Sequence, residues 1–370
     1  MKKKLIVALV CLMLCSGALL LTACGPKSFT VTFETFGLCD DIEPIVVAKG
    51  EKLISPPSPV STDAAYTFDS WLNQFGSDFR FDREITEDTK IVVRWAHKDF
   101  HLVYPSGTIS IYRVLDKTKT SYELPALPQA TEISEDCFKD CVNLTDIVIP
   151  PNITEIGASA FANCVKLETV VIPDTVTKIG RLFPGCTALK NVTLPSGLTE
   201  IDDRFGTSIG LFSDCTSLQT VTLPAGLLEI DYNMFYGCTA LTEIIIPESV
   251  IKIETFAFAG CRNLLSVSFP SSLTKIESAA FRQSGLRAIY FFGGALEIER
   301  VAFENCQYLE IINIEAPLSQ GVIVLGANAF STGVSSTAVR YIYLPDAQSV
   351  AAYQAAENWS AYADKIKIGH

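Results

Sequence analysis

The chain has 370 residues, 48% of them apolar, and carries 41 acidic side chains against 29 basic ones, a net charge of −12. That balance excludes nucleic acid as a partner, because phosphate neutralisation needs Lys and Arg. It also disfavours electrostatic docking on an anionic membrane surface. The length is sufficient for one large core or several modules.

The first element is a leader. Lys2, Lys3 and Lys4 form a basic start, and residues 5–20 are apolar, the pattern of an export signal. Leu21-Thr22-Ala23-Cys24 comes next and resembles the lipobox of bacterial lipoproteins. The resemblance implies cleavage of residues 1–23, lipidation of Cys24, and residues 24–28 as a tether. An ordinary signal peptide or a short anchor is the alternative. Cleavage removes three lysines and no acid, leaving 26 basic against 41 acidic residues. One lipidated Cys would then be the membrane attachment, and the location extracytoplasmic, at the cell surface.

Residues 29–96 read as a small module. Phe29, Val31 and Phe33 alternate with polar neighbours, as do Ile91, Val93 and Trp95 at its far end, which is the period of a half-buried strand. A Pro-rich turn at 55–59 and the aromatics Tyr66, Phe68 and Trp71 lie between. The order V-T-F, K-G, P-P-x-P, Y-x-F-x-x-W, I-T-x-D-T-x-I resembles the Listeria–Bacteroides repeat. That family implies a β-grasp-like fold serving as an extracellular spacer. The sequence departs from it at residues 36–40, where the family commonly has an Asn-Gly-Gly turn.

Residues 97–130 are expected to cap the first repeat of the next region, with strands at 108–114 and 118–124 around Asp116-Lys117. From residue 131 to 345 the sequence repeats as I-x5-F-x-x-C-x-x-L-x-x-I-x-I-P. Phe161, Cys164, Leu167, Val170, Ile172 and Pro173 give one copy, and Phe258, Cys261, Leu264, Val267, Phe269 and Pro270 another. Marker cysteines at 141, 164, 186, 215, 238, 261 and 306 are mostly 22 or 23 residues apart, and Ser284 fills the place inside the longest gap. Such a period signals a stacked repeat. Phe, Cys and Leu at i, i+3 and i+6 fit a short inward-facing helical turn, and the next segment is a short strand that Pro ends. Residues 346–370 are expected to form a closing helix and tail, with Asp346 or Ser349 as its N-cap.

These units closely resemble the BspA-like leucine-rich repeats of bacterial surface proteins. The expected fold is therefore a β-rich α/β leucine-rich-repeat solenoid, a parallel strand ladder with short helical turns, preceded by the β-grasp-like module. The resemblance implies export and binding of host proteins or other cells, and brings no shared catalytic residues. Equivalent residues of stacked rungs lie about 5 Å apart, so the cysteines form a column. They read as small buried residues, with disulfides as the alternative.

Catalytic and metal chemistry find little support, and no cofactor is implied. Gly206-Thr207-Ser208-Ile209-Gly210 has the spacing of a nucleophile elbow, but sits inside a repeat with His370 as the only downstream His. It reads better as part of an insertion. Ile201 and Phe212 are eleven residues apart where Ile230 and Phe235 are five apart. Six extra residues therefore bulge at 202–211, and Asp202, Arg204 and Phe205 become candidate ligand contacts. On the concave strand face the outward positions gather Tyr290, Ile311, Tyr341 and Tyr343 near the C-terminal end, and Tyr is enriched in binding hot spots. The expected partner is an extracellular protein or glycan. A ligand-free envelope spacer and a glycan-active enzyme are the alternatives.

Overall fold

A computed structural model describes residues 28–105, 108–202, 209–332 and 338–369. The leader, Cys24, Arg204 and Phe205 lie outside them.

The N-terminal part is a four-stranded mixed sheet of β1 (Ser28–Glu34), β2 (Ile45–Ala48), β3 (Tyr66–Asn73) and β4 (Thr89–His97), in the order β2-β1-β4-β3. β1 and β4 run parallel and the outer pairs antiparallel. The alternation of Phe29 and Val31 buries one face of β1. Trp71 and Trp95 are buried as well, and the Trp95 indole donates to the Thr35 carbonyl at 3.1 Å.

β5 (Phe100–Val103) pairs with β6 (Ile109–Val114), which starts a parallel series with β7 (Ala130–Ile133). The expected strand at 118–124 is absent: those residues have no ladder partners. Tyr104, just past β5, donates its hydroxyl to the Trp95 carbonyl at 2.7 Å and accepts from the Trp95 amide at 3.0 Å. Rings continue the core across this junction, Phe100 lying 6.0 Å from Phe138. One contiguous buried cluster runs from Phe29 to Ile366.

Most rungs of the solenoid contribute to two interrupted strand ladders rather than one. The L-x-x-I-x-I segments give the longer ladder, seen in Thr169–Val171, Asn191–Thr193 and Thr220–Thr222, then again from Ser266–Phe269 through Ala288–Phe291, Ile311–Ile314 and Tyr341–Leu344. A second ladder is built from two-residue strands such as Glu155–Ile156, Lys178–Ile179, Lys252–Ile253 and Lys275–Ile276. Its apolar residue enters the core and its charged residue faces out. Lys252 there bridges Glu229 at 2.9 Å and Glu254 at 2.7 Å.

The third side of the rung is the F-x-x-C-x-x-L segment. It is a run of hydrogen-bonded turns, with the Cys164 amide on the Phe161 carbonyl and the Leu167 amide on the Cys164 carbonyl. The residue before each Cys has positive φ, as at Asp140, Asn163, Asp214 and Asn305, or is Gly as at Gly185, Gly237 and Gly260. Asn, Asp and Gly tolerate that left-handed conformation, which is why the position is so restricted. It also stops the turn from growing into a helix, and frees amides for the next rung, as in Phe161 to the Leu182 carbonyl at 3.0 Å.

Phe138, Phe161, Phe183, Phe212, Phe235, Phe258, Phe281, Phe303 and Phe330 stack down the axis. The widest step, 5.9 Å, separates Phe183 from Phe212, the rungs that flank the insertion. Beside the stack the cysteines form their own column as free thiols. From Cys164 onward each sulfur donates to a Phe carbonyl of an earlier rung, Cys186 to Phe161 at 3.0 Å and Cys261 to Phe235 at 3.1 Å. Burial pushes the Cys306 thiol up to about 11. The weak S–H donor thus ties one rung to the next, a bond that alanine would remove.

Residues 346–369 close the last rung. The helix α1 (Ala347–Ala355) begins at Asp346, whose carboxylate accepts from the Ser349 amide at 2.7 Å. It ends earlier than the sequence suggests. Trp359 lies beyond its end, fully buried, and the indole donates to the Ile323 carbonyl at 2.7 Å. The chain then returns as strand Ile366–Ile368, parallel to Tyr341–Leu344, which extends the longer ladder by one strand.

Candidate binding surfaces

The outward positions of the longer ladder form two rows, set by register. One row runs Ser266, Ala288, Ile311, Tyr341, and the other Ser268, Tyr290, Asn313, Tyr343, Lys367. Alternation of exposure along these strands places all of them on the open face. Tyr341 and Tyr343 stack at 5.9 Å between ring centres. The Lys367 ammonium sits 4.8 Å from the Tyr341 ring centre, within cation–π range. Ile311 adjoins Tyr341, whereas Asn313 separates Tyr290 from Tyr343. The structure therefore brings Ile311, Tyr341 and Tyr343 together and leaves Tyr290 two strands away. Asn313 and Lys367 complete the patch. Lys367 lies beyond the last repeat, so the repeat pattern carries no signal for it.

Asp202 lies elsewhere. It sits just past the second ladder and lines a groove of about 610 Å³ with Glu132, Glu135, Glu155 and Lys178. The floor is Gly157 and Gly180, where a Cβ would collide with the backbone of the preceding rung. Glu132 accepts from the Ser110 hydroxyl at 2.8 Å, and Lys178 reaches Glu155 at 3.8 Å. Arg204 and Phe205, the other insertion residues, lie outside the described residues.

Among the described residues no group of three His, Cys, Asp or Glu side chains is placed to hold a metal. No helix of the described residues is long and apolar enough to cross a membrane.

Two parallel ladders, a turn side and a ring column define a leucine-rich-repeat β-solenoid. Residues 116–208 and 207–310 match the BspA type leucine rich repeat region, in six copies. The chain belongs to that family, which is typically without catalytic activity. Among solved structures, a leucine-rich repeat protein from Bacteroides ovatus is 25% identical, with 67% of this chain and 70% of that one covered and a TM-score of 0.49. A leucine-rich repeat protein of T. pallidum is 23% identical, covering 64% and 86%, with a TM-score of 0.37. A leucine rich cell surface protein from Faecalibacterium prausnitzii is 22% identical, covering 70% and 96%, with a TM-score of 0.32. Among curated proteins none matches.

A solenoid of this kind is suited to binding proteins or glycans in general. Its strand faces hold side chains on a rigid lattice, so little ordering entropy is lost when a partner docks.

Proposed function

We propose that this is a cell-surface lipoprotein, anchored through Cys24, that binds an extracellular protein or glycan on the open face of its longer ladder. The observation that carries the reading is the patch of Ile311, Tyr341, Tyr343 and Lys367. It joins stacked aromatics and a cation on backbone fixed by parallel pairing. Tyr supplies a large contact area with little rotamer entropy to lose. Residues 29–96 act in this reading as a β-grasp-like spacer of the Listeria–Bacteroides type, and the 202–211 insertion as an accessory contact.

The test is a pull-down of extracellular-matrix proteins, mucins and cell-wall glycans by the intact chain, beside a Tyr290/Tyr341/Tyr343→Ala variant that retains its fold. Capture by the native chain and loss in the variant supports the reading. Equal capture moves the site to the insertion or the first sheet, and no capture leaves a spacer without a ligand. For the anchor, Cys24→Ser is expected to abolish incorporation of labelled fatty acid.

A further inference from the structure

One rung breaks the pattern in a way that opens a groove. In the copy Phe258, Cys261, Leu264 two residues separate Cys from Leu; in the copy Phe281, Ser284, Leu286 only Gly285 does. The backbone cuts the corner. The Gly285 amide donates to the Cys261 carbonyl at 3.0 Å, and a Cβ on Gly285 would overlap the Arg262 carbonyl oxygen. The missing residue leaves a trough of about 690 Å³ between the rungs on either side.

Its walls have an unusual composition for so acidic a chain. Arg262 and Arg287 line it with Asn263, Gln283, Asn305 and Gln307, and among the described residues no carboxylate does. None of these six side chains makes a hydrogen bond or ion pair with another described residue. The two nearest acids along the rungs are taken: Glu304 by Arg282 at 2.9 Å and Glu310 by Arg340 at 3.3 Å. Tyr308, 60% exposed, forms part of the lining. Elsewhere on this rim the cations are engaged, Lys166 with Asn143 and Lys190 with Glu168.

We infer that this trough is a binding site for an acidic saccharide, a sugar bearing carboxylate or sulfate. Guanidinium groups match planar or tetrahedral oxyanions with paired hydrogen bonds. Four carboxamides offer donors and acceptors together, which suits the vicinal hydroxyls of a pyranose better than the single-sense needs of a carboxylate chain. An exposed aromatic ring supplies an apolar face for the C–H side of a sugar. The site is separate from the tyrosine patch and does not depend on it.

Calorimetric titration of the intact chain with four probes tests this: tetragalacturonate, a sulfated heparin tetrasaccharide, maltotetraose and tetraglutamate. Binding of tetragalacturonate or the heparin fragment is expected, weakened at least tenfold in Arg262→Gln/Arg287→Gln and severalfold in Tyr308→Ala. Which of the two binds more tightly distinguishes a carboxylated from a sulfated ligand. Both arginines are exposed, so the variants should keep the native thermal midpoint. The Tyr341→Ala/Tyr343→Ala variant reports on the ladder patch: saccharide affinity that falls there and not in the double-arginine variant places the binding on that patch and overturns the proposal. Failure of both acidic saccharides to bind, unchanged affinity in the double-arginine variant, or equal affinity for maltotetraose or tetraglutamate would each overturn the proposal.

Discussion

The two glycine-floored grooves are alike in origin and opposite in chemistry. Gly157 and Gly180 open the groove on the second ladder, and Gly285 opens the trough on the turn side. In each, backbone approaches backbone so closely that no side chain fits. The first is lined by Glu132, Glu135, Asp136, Glu155 and Asp202 against Lys178, and the second by arginines and carboxamides, with no acid among the described residues. Labour is therefore divided. Rung spacing and small residues decide where a depression forms, and the variable outward positions of neighbouring rungs decide what it attracts.

Breaking the column that both grooves rest on should have the largest effect. Phe258 is fully buried between Phe235 and Phe281. Phe258→Ala is expected to cost about 3–5 kcal/mol, read as a lower denaturant midpoint. Filling the floors comes next. Gly180→Ala and Gly285→Ala should each cost about 1–3 kcal/mol by overpacking, whereas Gly197→Ala, with open space around its Cβ, should leave the thermal midpoint unchanged. A difference in ligand affinity between the Gly285 and Gly180 variants would show which floor matters to which partner.

A smaller effect depends on pH and sets the sheet–solenoid junction apart from both grooves. His97 is buried, and desolvation holds its imidazole below the ordinary value of 6.5, against the opposing pull of Asp99 and Asp63 and with the help of Lys98 and Lys119. The unfolded chain therefore takes up that proton first as pH falls. The contribution is complete above about 6.5 and is lost progressively below it. Its Nδ1 accepts from the Asp99 amide at 3.0 Å, a bond that Asn can imitate. The denaturation midpoint should fall as pH drops from about 6.5 to about 5 in the native chain and fall less in His97→Asn. Smallest of all, Lys178→Ala should change stability by under about 1 kcal/mol, because its 3.8 Å pair with Glu155 is exposed.

The repeat and its inward Phe, Cys and Leu are legible in the sequence because each recurs at a fixed period; the outward strand positions alternate too, but alternation alone does not show that Tyr290 falls two strands from Tyr341 and Tyr343. The second ladder is not legible. Strands of two residues, such as Lys178–Ile179, are too short to show alternation, although the charged residue before each Ile does repeat. On the turn side, the spacing of Phe161, Cys164 and Leu167 suits a helix equally well. The Asn163, Asp140 and Gly185 position holds the contrary signal, visible only once positive φ is considered. The trough at Gly285 is written in the sequence as one missing residue before Leu286. The replacement of Cys by Ser284 stands out there, while the shortened spacing beside it resembles ordinary variation between copies. Residues 118–124 show the reverse error: an alternating pattern with apolar contacts at Tyr122 and Leu124 but no neighbouring strand to complete a ladder.

The closing segment has a mechanical consequence. A solenoid pulled by its free end can come apart one rung at a time, each rung held by few bonds. Here the Trp359 indole holds the Ile323 carbonyl and the Tyr353 hydroxyl holds the Ile323 amide, while Ile366–Ile368 is hydrogen-bonded along Tyr341–Leu344. Load applied at the C-terminus meets this clasp before it reaches a repeat. The two bonds to Ile323 and one strand's ladder therefore part before the last repeat is strained.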